Sequence, residues 1–198
     1  LGLDRADLFL LHRPGPTEGR AALDADGVLP QAHADGLASA IGVSNFSVAD
    51  LERLRADGHD EPSVNQVELH PYFPQRKLRE YATGRGIVVQ SWSPIGGSSG
   101  SGGGSGMGTG AALLAEPALL DLADRLGRTP APGVLCWHVQ QGLAVIPKSV
   151  RPDRIRENLR VFDLDLDEAA VSVLDGLDSG RRGGPDPSRV GFDTFRRS

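Results

Sequence analysis

The feature that most constrains this chain is an alternation of short apolar stretches with segments of helical pattern. Each apolar stretch is followed by a turn and then by residues with helical periodicity. Strands that alternate with helices form parallel sheets with right-handed connections. The sequence therefore predicts an α/β fold with a parallel sheet, whose strands are residues 7–12, 40–44, 63–69, 87–92 and 143–146.

Capping residues and prolines mark where the predicted helices begin. Ser47 and Asp50 have the spacing of a capping box, and this helix stops at Gly58. Thr129 is placed as the N-cap before Pro130, and Asp167 caps a last helix that runs to Leu177. Further helices are predicted at residues 29–35, 75–83, 117–126, 130–141 and 152–161.

Three stretches carry specific expectations about packing. Residues 7–12 form an almost continuous apolar run, which is typical of a strand buried on both faces. Residues 96–110 are rich in glycine and serine and predict a flexible loop. Because the strand and helix pattern resumes after that loop, residues 1–198 are predicted to form one domain. The tail after Ser179 is predicted to be loosely held.

Composition excludes several classes of function. The net charge is −5, with no long basic run, so neither nucleic acid nor an anionic membrane is an expected partner. No apolar stretch approaches the roughly 20 residues of a membrane span. The single cysteine, Cys136, rules out an intramolecular disulfide, and its apolar context favours a buried, inert thiol. These observations predict a cytoplasmic protein, and no metal site is predicted.

Polar and aromatic residues collect where the predicted strands end. The carboxyl ends of parallel strands meet at one edge of a sheet, and ligands bind at that edge in α/β folds. The sequence therefore predicts a site at this edge. Its candidate residues are His12, Ser44, Asn45, Gln66, Trp92, Ser93, Lys148 and Ser149.

The stretch 144–158 predicts a phosphate site in more detail. Lys148 and Ser149 follow the last strand, and Pro152 suits the first turn of a helix. Arg154, Glu157 and Asn158 then share one helix face. A cation, a hydroxyl and a helix N-terminus together suit a phosphate group. The alternative is a solvated turn with ordinary surface charges.

Six ordered blocks of sequence resemble the aldo-keto reductase family, most closely its diketogluconate-reductase-like branch. The blocks lie between residues 7 and 166, and the resemblance covers about residues 1–177: they are DLFLLHRP, IGVSNF, SVNQVELHPYFPQ, QSWSPIGG, VLCWHVQQGLAVIPKSV and RIRENLRVFDLDL. The resemblance implies a (β/α)8 TIM barrel, here an incomplete barrel of about five βα units. It also implies NADPH-dependent reduction of aldehyde and ketone carbonyls.

The resemblance further implies a role for each candidate residue. His12 is the active-site histidine that hydrogen-bonds the substrate carbonyl. Ser44, Asn45 and Gln66 hold the nicotinamide carboxamide, and Trp92 stacks on the nicotinamide ring. Ser93 and Ile95 line the pyrophosphate. The 2′-phosphate and adenine end of NADP(H) is assigned to Lys148, Ser149, Arg154, Glu157 and Asn158.

The chain departs from the family pattern in its catalytic set, which comprises Asp, Tyr, Lys and His. Only the histidine block is present, so the chain is expected to be the C-terminal portion of a longer protein and nearly inactive alone. A small carbonyl compound is the expected substrate, and the missing N-terminal half is a required partner. The alternatives are a non-catalytic NADP(H)-binding module, an inactive fragment, or an aldolase-like enzyme with Lys148 as a Schiff-base lysine.

Overall fold

A computed structural model describes residue 2 and residues 4–14, 28–97 and 109–189. The described residues form a five-stranded sheet in the order β1-β2-β3-β4-β5, with parallel pairs. The predicted parallel α/β class is therefore confirmed. The strands are β1 (Ala6–Leu11), β2 (Ala38–Ser44), β3 (Val64–Glu68), β4 (Val88–Trp92) and β5 (Ala144–Val145).

The helices follow the strands in chain order. They are α1 (Val28–Ala34), α2 (Val48–Ala56), α3 (Arg76–Thr83), α4 (Gly110–Leu113), α5 (Pro117–Leu126), α6 (Pro130–Gln140), α7 (Pro152–Leu159) and α8 (Glu168–Asp175), with 3-10 turns at Arg160–Asp163 and Pro187–Arg189. None of the described helices combines the length and apolar character that a membrane crossing requires.

The chain divides into two compact units. The first comprises Leu1–Val67, Arg76–Val89 and Asp186–Ser198, and the second comprises Glu68–Gln75 and Gln90–Pro185. That residues 1–198 form one domain stays a prediction. So does the flexibility of the loop at 96–110, because residues 98–108 of it lie outside the described residues.

In the first unit, the register of the strands depends on Gly42. Gly42 pairs with Leu10 on β1 and with Val64 on β3. A Cβ on Gly42 would lie 2.6 Å from a Leu10 methyl and 2.7 Å from the Val64 carbonyl oxygen. The three strands therefore approach each other closely only because this position lacks a side chain.

The predicted capping box at the start of α2 is confirmed. The Asp50 N–H donates to the Ser47 hydroxyl at 3.2 Å, and the Ser47 N–H donates to the Asp50 carboxylate at 2.9 Å. This pair satisfies two of the N–H groups that a helix start leaves open. Leu51 and Leu54 of the helix are then buried.

The prediction that the first strand is buried on both faces is wrong. Most of β1 is exposed or half-buried, and Phe9 keeps 43% of its surface exposed. Within the described sheet, β1 is the first strand and pairs only with β2. An apolar run shows that a strand suits burial, but the neighbouring elements decide whether burial occurs.

Helix α6 forms the centre of the second unit. It packs against α5, α7, α8 and β5, and every residue from Pro132 to His138 is buried. Trp137 Nε1 donates to the Asp175 carboxylate of α8 at 3.0 Å. Cys136 is buried as predicted, and burial raises the pKa of its thiol.

Several boundaries differ from the sequence predictions. β5 keeps only Ala144–Val145, α7 passes into a 3-10 turn at Arg160–Asp163, and α8 ends at Asp175 rather than Leu177. The Asp167 cap is confirmed, since its carboxylate accepts from the Ala170 N–H at 2.7 Å. Ends of helices and strands are set by local hydrogen bonds that periodicity does not reveal.

Candidate functional site

Four of the predicted site residues form one hydrogen-bonded group in the first unit. Asn45 Nδ2 donates to the His12 carbonyl oxygen at 3.2 Å and to the Ser44 hydroxyl at 3.0 Å. The Ser44 hydroxyl in turn donates to the Gln66 carbonyl oxygen at 2.8 Å. We call His12, Ser44, Asn45 and Gln66 the Ser44 cluster.

The backbone turns sharply at Asn45, where β2 ends. Asn45 has a φ of +65°, a left-handed conformation that asparagine adopts more readily than most residues. Its N–H donates to the Gln66 carbonyl oxygen at 2.9 Å, which extends the β2–β3 pairing by one residue. The turn leaves Ser44 buried, Asn45 half-buried and His12 exposed. The cluster thus joins the buried Ser44 hydroxyl, through the Asn45 amide, to the backbone of the exposed residue His12.

Asn65, a second polar residue of β3, has a structural role. It is fully buried, and its Nδ2 donates to the Phe46 carbonyl oxygen at 2.9 Å. This bond holds the segment that follows Asn45. Of these two neighbouring polar residues of β3, Asn65 therefore fixes this turn with its side chain, whereas Gln66 accepts from Ser44 and Asn45 with its backbone carbonyl oxygen.

In the second unit, β4 ends at Trp92, which is half-buried. Ser93 follows with a φ of +50°, and its carbonyl oxygen accepts from the Gly96 N–H at 2.8 Å. Ile95 lies in this turn and is also half-buried. The indole of Trp92 is thus followed directly by a tight turn with a strained, left-handed residue.

The ends of the glycine- and serine-rich segment are held together at their base. The Thr109 N–H donates to the Gly96 carbonyl oxygen at 2.9 Å, and the Gly110 N–H donates to the Gly97 carbonyl oxygen at 3.1 Å. A Cβ on Gly96 would lie 2.7 Å from Gly110 N. Glycine at position 96 therefore permits the close backbone approach that closes this base.

The predicted phosphate segment precedes and begins α7. Pro152 is in the first turn as predicted, and the Ser149 hydroxyl accepts from the Arg151 N–H at 3.1 Å. Lys148 and Arg154 are both exposed, and Ser149 is half-buried. Two cationic side chains therefore extend into solvent from the strand end and from the first turn of the helix.

Glu157 has a defined partner in the structure. Its carboxylate accepts from the Thr129 hydroxyl at 2.6 Å and from the Thr129 N–H at 3.4 Å. Thr129 is the N-cap of α6 as predicted, but its own side chain does not cap the helix. Glu157 also lines a cavity of about 510 Å³ together with Arg128, Arg156 and Arg160. Asn158, beside it, is half-buried.

The sequence analysis missed a second polar cluster, centred on Glu68. Glu68 is 1% exposed, and its Oε1 accepts from His70 Nε2 at 3.1 Å, from the Gly184 N–H at 2.9 Å and from the Gly183 N–H. Arg182 Nη1 donates to Oε2 at 3.3 Å. We call Glu68, His70, Arg182, Gly183 and Gly184 the Glu68 cluster.

The hydrogen bonds to Glu68 keep its carboxylate ionised in the interior. Burial alone would raise the pKa of this carboxyl group. The hydrogen bonds from His70, Gly184 and Gly183 outweigh burial and hold the pKa below its ordinary value. The available signal was an acidic residue placed between two apolar residues, Val67 and Leu69, at the end of a predicted strand. A carboxylate buried there requires a partner elsewhere in the chain.

The prediction that the tail after Ser179 is loosely held is wrong for the described residues 179–184. The N–H groups of Ser179 and Arg181 donate to the Tyr72 carbonyl oxygen at 3.2 and 3.1 Å, and residues 182–184 bind Glu68. We call residues 179–184 the C-terminal clasp. Glycine and arginine composition predicted mobility, but the backbone N–H groups of the glycines are the ones that the carboxylate binds.

Tyr72, whose carbonyl oxygen binds the clasp, is buried. Its hydroxyl donates to the Glu116 carboxylate, and burial followed by this hydrogen bond raises the pKa of Tyr72 to about 12. The Arg181 guanidinium lies 5.8 Å from the centre of its ring. A tyrosine in this state holds its proton tightly and is poorly suited to proton transfer near neutral pH.

The structure thus brings the four residues of the Ser44 cluster together in the first unit. The other strand-end candidates lie in the second unit: Trp92, Ser93, Lys148 and Ser149. That all eight strand-end residues meet at one edge stays a prediction. Among the described residues, no group of three or more His, Cys, Asp or Glu side chains is arranged to hold a metal ion.

Residues 1–179 match the model of the Aldo/keto reductase family. Morphine 6-dehydrogenase from Pseudomonas putida is 43% identical over 98% of this chain and 66% of its own length. The 2,5-diketo-D-gluconic acid reductase B from a Corynebacterium species is 44% identical over 94% of this chain and 63% of its own. The chain therefore spans just under two thirds of these curated relatives.

Solved structures show the same fold. The crystal structure of a Gox0644 variant in complex with NADPH superposes with a TM-score of 0.80 and 36% identity. The match covers 96% of this chain and 65% of that one. The predicted fold class, an incomplete barrel of about five βα units, is confirmed by this likeness and by the observed parallel sheet.

Proposed function

Because this chain belongs to the aldo/keto reductase family, we propose that it supplies most of the NADP(H) site of a reductase that converts aldehydes and ketones to alcohols. The predicted resemblance to the diketogluconate-reductase-like branch is supported by the 44% identity to reductase B. The observation that carries the proposal is the Ser44 cluster, in which hydrogen bonds to the Ser44 hydroxyl and to the His12 backbone carbonyl oxygen orient the Asn45 amide at a strand end.

The cofactor assignment is supported by the Gox0644 variant, which was crystallised with NADPH. In this chain, Lys148 and Arg154 are exposed cations at the start of α7. We assign them, with Ser149, to the 2′-phosphate, because two cations around one phosphomonoester favour NADPH over NADH. Glu157 and Asn158 are assigned to the adenine.

The nicotinamide end is assigned to the Ser44 cluster and to Trp92. Asn45 is half-buried and already oriented by two hydrogen bonds, so it loses little freedom on binding a carboxamide. The flat face of Trp92 suits stacking on a planar ring, and Ser93 and Ile95 are assigned to the pyrophosphate. When bound, NADPH supplies the hydride, and His12 donates a hydrogen bond to the substrate carbonyl oxygen.

Proton delivery to the developing alkoxide is assigned to residues outside this chain. The family resemblance places it on a tyrosine whose pKa is lowered by a lysine, and Tyr72 has a pKa raised to about 12. We therefore propose that the 198-residue chain alone has little or no turnover. The same reasoning supports the alternative that the chain acts as a non-catalytic NADP(H)-binding module.

NADPH and NADH titrations of the purified chain test the cofactor assignment, with quenching of Trp92 and Trp137 fluorescence as the signal. We expect saturable binding that favours NADPH, and a loss of about tenfold in NADPH affinity in Arg154→Ala with NADH little changed. Arg53→Ala, which removes an exposed helical arginine from the first unit, is the matched control. Equal binding of both cofactors, or none, would overturn the assignment.

An assay with a simple aldehyde and NADPH tests the catalytic assignment separately. We expect no turnover above background from the isolated chain. Turnover that is lost in His12→Ala would show that the chain contains a proton donor of its own, and would contradict the assignment of that donor to residues outside it.

A further inference from the structure

Gly183 and Gly184 of the Glu68 cluster are remote in sequence from every residue assigned to NADP(H), yet Gly184 lies against one of them, Trp92. A Cβ on Gly184 would lie 2.5 Å from Cη2 and 3.0 Å from Cζ3 of Trp92, and 3.3 Å from Oε2 of Glu68. The backbone of Gly184 is thus confined between the indole ring and the carboxylate.

The neighbouring glycine lies against the base of the 98–108 segment. A Cβ on Gly183 would lie 2.7 Å from the Gly96 carbonyl oxygen and 3.0 Å from Thr109 Oγ1. The C-terminal clasp therefore packs both on the indole of Trp92, which ends β4, and on the closed base at Gly96 and Thr109 that follows it.

We propose that the C-terminal clasp is a positioning element for cofactor binding, in which Glu68 anchors Gly183 and Gly184 so that their backbone fixes the indole of Trp92. The proposal rests on the proposed function, because Trp92 is the residue assigned to stack on the nicotinamide. Glu68 and Gly184 act through Trp92 and are positioning residues.

Two physical arguments support this role. First, Gly184 is required for space rather than for backbone freedom, because its φ is not in the left-handed region and a Cβ would overlap the ring. Secondly, a buried carboxylate that accepts two backbone N–H bonds and an arginine forms a strong, directional anchor. A ring that is fixed before binding loses little entropy when a planar ligand stacks on it.

The test compares Gly184→Ala with Gly133→Ala, the control. Gly133 lies in α6, where a Cβ would meet nothing closer than 3.8 Å. Each variant is titrated with NADPH and with adenosine 2′,5′-bisphosphate, which carries the 2′-phosphate but no nicotinamide. We expect Gly184→Ala to weaken NADPH binding by about tenfold and the bisphosphate by less than about twofold. Gly133→Ala should leave both affinities unchanged.

The split between the two ligands distinguishes positioning from a general loss of structure. If Gly184→Ala weakens both ligands equally, or neither, the proposal is overturned. If the wild-type chain binds the bisphosphate but gains no affinity from the nicotinamide half of NADPH, the proposed stacking role of Trp92 fails instead. The contact itself is then judged without a cofactor.

That cofactor-free measurement is acrylamide quenching of tryptophan emission. Trp137 is fully buried, so quenching reports mainly on Trp92. We expect Gly184→Ala and Glu68→Gln each to raise the accessibility of the indole. We also expect Gly184→Ala to lower the melting temperature of the wild-type chain but not that of a Trp92→Ala variant. Without the indole, the space that the new Cβ needs is open. The proposed role of the clasp would be refuted if quenching were unchanged and Gly184→Ala lowered the melting temperature equally with and without the Trp92 indole.

Discussion

The Ser44 cluster and the Glu68 cluster both lie at strand ends, but the first consists of neutral, partly exposed groups and the second is centred on a buried charge. The Ser44 cluster contains neutral hydrogen bonds between residues at most 33 positions apart, and three of its four members are exposed or half-buried. The Glu68 cluster buries a carboxylate and closes across 114 to 116 positions. The comparison indicates that the groups proposed to bind the cofactor remain accessible at the Ser44 cluster, while the Glu68 cluster contains a buried carboxylate and connects distant parts of the chain.

The largest effect should come from removing the buried carboxylate. Glu68→Ala leaves two backbone N–H groups and a histidine without their acceptor, so the free energy of unfolding should fall by about 3 kcal/mol. Urea denaturation measures it. A loss below that of Ser44→Ala would mean that the Glu68 cluster is not the structural one of the two.

Acid should weaken the hydrogen bonds of the Glu68 cluster, which end on a carboxylate, more than those of the Ser44 cluster, which join a hydroxyl, an amide and backbone carbonyl oxygens. The pKa of Glu68 is lower in the folded chain than its ordinary value of 4.5, so folding is favoured above that pH. This stability is lost as the pH falls through the folded pKa, where the carboxylate takes up a proton. Glu68→Gln should flatten the acid limb of a stability–pH profile, whereas Ser44→Ala should retain it.

High pH should destabilise the region around Tyr72, which binds the C-terminal clasp. The pKa of Tyr72 is raised from 10 to about 12, so its contribution to stability is complete below pH 10 and is lost as the pH rises towards 12. Absorbance at the phenolate band should show one tyrosine titrating late. Tyr72→Phe should remove that late step, and Tyr81→Phe, the control, should leave it in place.

Among these variants, Ser44→Ala should have the smallest effect on the free energy of unfolding and the largest effect on NADPH affinity. Ser44→Ala removes one neutral hydrogen bond to Gln66 and should lower the free energy of unfolding by about 1 kcal/mol. The free energy of NADPH binding should become less favourable by more than this loss in the free energy of unfolding. A variant that binds NADPH normally would show that the cluster, too, is only structural.

Local features of this fold were predictable from the sequence. The capping box of Ser47 and Asp50 and the bounds of Pro117–Leu126 were confirmed because each depends on residues within one helix. The Ser44 cluster was predictable as a group, because polar residues at the ends of consecutive parallel strands necessarily come close together.

Features that depend on distant neighbours were not predictable in the same way. The exposure of Phe9 on β1 depends on which elements cover the strand. The clasp depends on residues 182–184 reaching a carboxylate more than 110 positions earlier. Local sequence patterns place Glu68 in a strand and the tail in solvent. Nothing in these patterns indicates that the tail supplies the hydrogen-bond donors for Glu68.

The distance that the clasp closes also imposes an order on folding. Gly184 follows Glu68 by 116 residues, which a ribosome adds in about 6 to 23 s at roughly 5–20 residues per second. During that interval β3 contains a carboxylate whose backbone donors have not yet been made. Until they arrive, Glu68 favours conformations that keep this end of the strand hydrated. We therefore expect packing of the Trp92 region to be a late step in the biogenesis of the chain, and truncation before Gly183 to leave that step incomplete.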